Sequence, residues 1–114
     1  MTSQGRLRKG EEFDGVFKEG SVVAGPFFVL RHRPNAGTAP RWGLAVGKRL
    51  AKSSVDRNVV RRRLREAIRA IDGVHAADIV ITARQPALRA GTAQLRQALV
   101  IILRRAGLLE GESR

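Results

Sequence analysis

Cysteine and tyrosine are both absent from this 114-residue chain, and methionine and tryptophan occur once each. Without cysteine there are no disulfides and no thiolate metal ligands, which fits a reducing compartment. Histidine occurs twice, as His32 and His75, with no metal-ligand spacing between them. Long apolar runs are missing too. The longest, "ALVIIL" at 98–103, falls far short of the roughly 20 residues that span a bilayer. The opening "MTSQGRLRKGEEF" contains no apolar stretch that could serve as a signal peptide. The expected location is therefore the cytoplasm, with no membrane partner.

Negative charge is scarce. Ten Asp and Glu face 22 Lys and Arg, a formal charge of +12. Such an excess destabilises a compact state by self-repulsion, so it points to a polyanion, with nucleic acid ahead of an acidic membrane surface. A hydrophobic content of 43 % is enough to build a core, which excludes a wholly disordered polybasic tail. The length fits one domain, 1–114, with 1–5 and 108–114 expected to fray. Arginine outnumbers lysine 18 to 4. Guanidinium suits phosphates and bases, but codon composition accounts for the ratio equally well, so it carries no weight.

Segments of strand and helix character follow one another without repeats or linkers. "KGEEFDGVFKEG" (9–20) reads as a short helix, with acids at its start, Lys18 near its end and Gly20 as a stop. "GPFFVLRHR" and "RWGLAVGKR" read as strands, and the loop "RPNAGTAP" between them predicts a hairpin. In the second, Trp42, Leu44 and Val46 share one face, and Arg41, Gly43, Ala45 and Gly47 the other. A long helix follows, with Ser53 or Ser54 as its cap and Gly73 as its terminator. "ADIVITAR" is an apolar run of strand length. "GTAQLRQALVIILRRAGLL" is a last helix, capped by Thr92 and stopped by Gly107, with Leu95, Leu99, Ile102, Leu103 and Ala106 as its core stripe. With a further short strand at 21–24, the order is α-β-β-β-α-β-α. This is an α+β fold, a two-layer sandwich of a small sheet with helices.

The long helix holds the strongest signal. Six arginines fall in thirteen positions, Arg57 to Arg69. At about 100° per residue, Val60, Leu64, Ala67, Ile68 and Ile71 gather on one arc, and Asn58, Arg61, Arg62, Arg65 and Arg69 on the opposite one. A solvated face normally mixes signs at i, i+4. Here 57/61, 61/65 and 65/69 all join like charges, and only Glu66 relieves them. Phosphates would recover that cost through released counterions. The strand-like flanks argue against a helix-turn-helix reader of DNA, and an arginine array that matches backbone shape favours RNA.

Other motifs fail. In "GLAVGKR", three residues separate Gly43 from Gly47 where a phosphate loop has four, and Arg49 stands where a magnesium-binding hydroxyl belongs. Glu11, Glu12 and Asp14 sit together but do not face one site, and Asp78 reaches them only if the fold brings it there. No converging carboxylate set for a metal-dependent nuclease is visible, and no small-molecule substrate is implied.

With "RLRKGEEFDGVFKEG", "FFVLRHR", "GLAVGKRLAKSSVDRNVVRRRLREAIR" and "DIVITARQPA" in this order, the chain resembles the protein subunit of bacterial ribonuclease P from about Arg6 to Arg105. The resemblance implies a partner catalytic RNA and the substrate precursor tRNA, whose 5′ leader the complex removes. It also implies a catalytic site in the RNA, which holds the magnesium ions, and no catalytic residue in this chain. The implied fold is ribosomal protein S5 domain 2-like, with a left-handed βαβ crossover through the basic helix, against the usual handedness. Arg57, Asn58, Arg61, Arg62, Arg65 and Arg69, with Lys48 and Arg49, are implied to face the catalytic RNA. Phe13, Phe17, Arg31 and Lys9 are implied to line a cleft for the leader. From spacing alone, Phe13 and Phe17 at i, i+4 fit a plain core stripe as well. Two positions depart from the family pattern: Val59 stands where an arginine is usual, with Arg63 a partial substitute, and Arg31 stands where an aromatic is frequent. The alternative is a non-enzymatic ribosomal or RNA-chaperone protein of similar topology.

Overall fold

The computed structural model describes residues 5–8 and 10–110. Its centre is the strand whose sequence leaves no polar side free. "ADIVITA", Ala77–Ala83, is buried along almost its whole length, as an apolar run without alternation requires. Numbered along the chain, the elements are β1 (Gly5–Arg6), α1 (Glu11–Glu19), β2 (Ser21–Ala24), β3 (Phe28–Pro34), β4 (Arg41–Ala45), α2 (Ser54–Arg69), β5 (Ala77–Ala83), a single 3₁₀ turn (Gln85–Leu88) and α3 (Thr92–Arg105). The sheet order is β1-β4-β5-β3-β2. β5 pairs antiparallel with β3 and parallel with β4.

That order overturns the hairpin expected between 25–33 and 41–49. β5 inserts between β3 and β4, because a strand buried on both faces is satisfied only with a neighbour on each edge. The loop at 35–40 spans the gap instead. The hairpin of this sheet is β2–β3, closed by the Gly25 N–H donating to the Phe28 carbonyl at 2.9 Å. β1 was not foreseen. Gly5, placed in a frayed end by sequence, pairs in parallel register with Arg41, and the Leu7 N–H donates to the Trp42 carbonyl at 2.9 Å.

Alternation along the strands assigns the two faces. Phe28, Leu30, Trp42, Ile79 and Ile81 join α2 and α3 in the main core, through the expected Val60, Leu64, Ala67, Ile68 and Ile71 and through Leu95, Leu99, Ile102 and Leu103. Truncating a fully enclosed member such as Leu64 costs about 2–5 kcal/mol. On the opposite face Val16 of α1 packs with Leu7 and Val80, and Phe13 and Ala45 lie against them.

Helix ends are partly as read. Ser53 caps α2, its Oγ accepting from the Asp56 N–H at 3.3 Å. α2 ends earlier than Gly73, with Ala70 as its C-cap. Thr92 is inside α3, and its hydroxyl donates to Glu66 Oε1 at 3.3 Å rather than capping; Gly91 is the N-cap. Gly107, at φ 77°, does stop α3, and the Leu108 N–H donates back to the Leu103 carbonyl at 2.9 Å. This closure folds Leu108 onto the core at 7 % exposure.

One charge is buried in the sheet. Asp78 is 2 % exposed at the start of β5, where Arg41 Nε and Nη2 donate to its two oxygens at 2.9 Å each. Asn35 Nδ2 donates at 3.1 Å, which ties the 35–40 loop to the same carboxylate. Burial pushes the Asp78 carboxyl up, but the bonds from Arg41 and Asn35 and the charges of Arg41 and Arg33 pull it below its ordinary value. A depressed carboxyl contributes stability that is present above its unfolded pKa, about 3.9, and lost as pH falls through the folded value. Asp78→Asn is expected to cost about 2–3 kcal/mol at pH 7, discounted for the solvent access of Arg41. In urea melts across pH, the gap between wild type and variant should close below about pH 4.

Candidate nucleic-acid interface

The basic face of α2 separates into arginines that hold the fold and arginines that do not. Arg57 Nη1 donates to the carbonyls of Ala51 and Lys52, both at 2.8 Å, which fixes the turn before the helix. Arg61 Nη2 donates to the Val46 carbonyl at 2.8 Å, pinning the end of β4 to the helix, and Nη1 reaches Asn58 Oδ1 at 3.0 Å. Arg62, Arg65 and Arg69 are exposed and have no intramolecular partner among the described residues. Arg65 is held below its ordinary pKa by partial desolvation first, then by the charges of Arg6, Arg61 and Arg69.

Arg6 was not singled out by sequence. It pairs with Trp42 in β1, and Trp42 faces the α2 side, so the cationic surface runs past the helix onto the sheet edge. Only the pairing of a two-residue strand brings it there. Arg63, the partial substitute for the arginine missing at Val59, has an intramolecular partner. Its Nη1 donates to the Ala90 carbonyl at 3.2 Å, directing it toward the segment before α3.

Lys48 and Arg49 are exposed in the turn after β4, which the Leu50 N–H closes by donating to the Gly47 carbonyl at 3.1 Å. Gln85 Nε2 holds the same turn through the Leu50 carbonyl at 2.9 Å. The turn borders a groove of about 790 Å³ at the ends of β4 and β5, whose lining includes Lys48, Arg49, Arg61 and Arg84 together with Phe13. Arg84 is a second functional candidate that sequence reading passed over. Its signal was its place immediately after the apolar strand; its Nη1 donates to the Gly25 carbonyl at 3.1 Å.

The aromatics of α1 have different surroundings. Phe13 is half-buried, and its ring lies on the backbone of Gly43, where a Cβ would come within 2.4 Å of it. Phe17 is 42 % exposed, and the Arg31 guanidinium stacks over its ring at 4.7 Å from the centroid. Phe13 is therefore partly core, whereas Phe17 with Arg31 presents a cationic aromatic surface to solvent. Lys9 lies outside the described residues.

The fold does bring Asp78 and Glu12 near each other, but both are engaged by Arg41, whose Nη1 donates to Glu12 Oε2 at 2.8 Å. This pair does not fit a divalent cation, since a guanidinium already fills the space between the carboxylates. Among the described residues no group of three or more His, Cys, Asp or Glu is arranged to hold a metal ion, and no helix is long and apolar enough to cross a membrane.

Anchored and free arginines should differ in stability measurements. Arg61→Ala is expected to lose about 1 kcal/mol through the orphaned Val46 carbonyl, whereas Arg62→Ala should stay within about 0.5 kcal/mol of wild type. Urea melts of the two variants side by side check this.

Comparison with known proteins agrees with the geometry. The family model described as Ribonuclease P matches residues 1–107. The ribonuclease P protein component of Azoarcus sp. (strain BH72) is 40 % identical over 96 residues, covering 83 % of this chain and 80 % of the relative. That of Exiguobacterium sp. is 36 % identical over 115 residues, covering both chains completely. The solved structure of the Staphylococcus aureus RNase P protein superposes with a TM-score of 0.82 at 32 % identity, covering 92 % of this chain and 97 % of that one. The Thermotoga maritima RNase P protein gives 0.80 at 30 %, covering 93 % and 98 %. The family match and the full-length relatives cover nearly the whole chain: the chain belongs to the ribonuclease P protein family, the protein component of a ribonucleoprotein enzyme of tRNA processing.

Proposed function

We propose that this protein docks on its catalytic RNA through the exposed face of α2 and holds the 5′ leader of precursor tRNA along the α1 side of the sheet, while the RNA performs the cleavage. The observation that carries this reading is the row of Arg62, Arg65 and Arg69, unpartnered among the described residues on a helix whose other face is core. Three like charges within two turns are unfavourable in the free protein, and phosphates reverse the sign of that interaction. Asn58, Lys48 and Arg49 extend the same surface, and Arg57 and Arg61 keep it in place through their carbonyl bonds.

In the leader cleft, Phe17 supplies a ring face on which a base stacks, and Arg31 beside it supplies positive charge for the adjoining phosphate. The groove bordered by Lys48, Arg49 and Arg84 joins this surface to the helix face, so one strand of nucleic acid can pass from the cleft toward the catalytic RNA. Magnesium in the reaction is assigned to the RNA and the substrate, in keeping with the guanidinium between Glu12 and Asp78. The chain then acts by charge neutralisation and positioning, without a nucleophile or a proton-transferring group of its own.

Two experiments test the two surfaces separately. Replacing Arg62, Arg65 and Arg69 by Ala should weaken binding to the cognate catalytic RNA and lower the slope of log K against log salt by about 2–3; an unchanged slope would return this face to solvent. Phe17→Ala should weaken holoenzyme binding of leader-bearing precursor tRNA by about 1–3 kcal/mol and leave mature tRNA unaffected. Equal losses for the two RNAs would remove Phe17 from the leader site.

A further inference from the structure

The buried Asp78 reaches beyond the sheet. Arg41, bonded to both of its oxygens, also donates to Glu12 at the start of α1. Arg33, whose Nε lies 3.8 Å from Asp78 Oδ2, donates through Nη1 to Glu19 Oε1 at 2.7 Å at the end of α1. One carboxylate thus organises two arginines, and each grips one end of the same helix. Phe13 and Phe17 lie between the two grips.

Besides Val16, the half-buried Phe13 and the Arg31–Phe17 stack, α1 has little else to fix it. It is nine residues long, Gly10 gives it no side-chain cap, and Val16 is its only buried residue. A helix of that length does not hold in water by itself. It also carries a glycine in its interior, a residue that disfavours helix relative to alanine. The Arg33 guanidinium lies against the helix at Gly15, where a Cβ would come within 2.5–2.8 Å of Nη1, Nη2 and Cζ, so a side chain there would displace the end of Arg33.

We propose that Asp78, Arg33 and Arg41 form a positioning clamp, which sets how α1 carries Phe13 and Phe17 over the sheet and thereby tunes recognition of single-stranded leader. The proposal rests on the leader-cleft reading given above. Glu19 is exposed, and solvent-exposed ion pairs add little to stability, so the Glu19 grip can be released without unfolding the protein. Glu12 is held from two sides, by the Arg8 backbone N–H and by Arg41, which keep its carboxyl below the ordinary range. The clamp is therefore closed at neutral pH.

The test uses holoenzyme reconstituted with the cognate catalytic RNA and compares wild type with Glu12→Gln/Glu19→Gln and with Gly15→Ala. Substrates are precursor tRNA with a long leader and with a leader of a single nucleotide. The clamp predicts a rise in Kd for the long leader of about tenfold, the scale of one lost base stack. Kd for the single-nucleotide leader, the cleavage rate of bound substrate and the affinity for the catalytic RNA should be unchanged, with melting temperatures near wild type. Equal losses on both substrates, or a slower bound-state cleavage, would show a general structural role and overturn the proposal. No change in the variants, while wild type keeps its preference for the long leader, would overturn it and leave the cleft reading intact. Wild type without any leader preference would overturn both.

Discussion

An apolar strand with no solvent-facing side must be flanked on both edges and covered on both faces, and β5 imposes that condition on the whole molecule. β3 satisfies one edge in antiparallel register and β4 the other in parallel. A parallel neighbour that precedes β5 in sequence requires a crossover, and α2 is that crossover. The basic helix is thus fixed against one face by the same burial that makes the sheet. The opposite face is left to α1, which covers only part of it. The arginine surface and the aromatic surface therefore stand on different sides of one sheet, and the turn carrying Lys48 and Arg49 connects them at the ends of β4 and β5.

The charge of the chain is distributed by the same logic. Several arginines are consumed internally: Arg41 and Arg33 by carboxylates, and Arg57, Arg61, Arg63, Arg84 and Arg105 by backbone carbonyls. The carbonyl bonds fasten turns and strand ends to the helices and to β5. Arg62, Arg65 and Arg69 have no such duty among the described residues, and their mutual repulsion is a standing cost in the free protein. Basic content alone does not distinguish the two groups. The bonds do, and they explain why changes to neighbouring arginines on one helix have different consequences.

Much of this was legible in the residue pattern. The 3.6-residue period of 57–69 separates core from arginine, and α2 keeps that separation, because helix periodicity is a local property; Ile71, read onto the same face, is buried although it lies past the Ala70 C-cap. The core stripe of α3 and the stop at Gly107 follow from equally local rules. The faces of β4 were readable too, since Trp42, Leu44 and Val46 alternate with Gly43 and Ala45. What failed was pairing. Adjacent strands with a loop between them looked like a hairpin, and the competing claim of β5, 32 residues beyond the end of β4, is invisible to any local window.

The sequence by itself determined the helices, the face that each buries, and a basic surface suited to a nucleic-acid backbone, because each depends on spacing along a few turns of chain. Tertiary structure decided which strands meet, and hence which charges meet. It brought Asp78 under Arg41, Asn35 and Arg33, Arg6 beside the basic helix, and Phe13 onto Gly43. It also decided that Phe17 stays open to solvent under Arg31 while Phe13 is half-buried. These contacts join residues tens of positions apart, and their energies come from burial and desolvation, which exist only once the sheet has closed around β5.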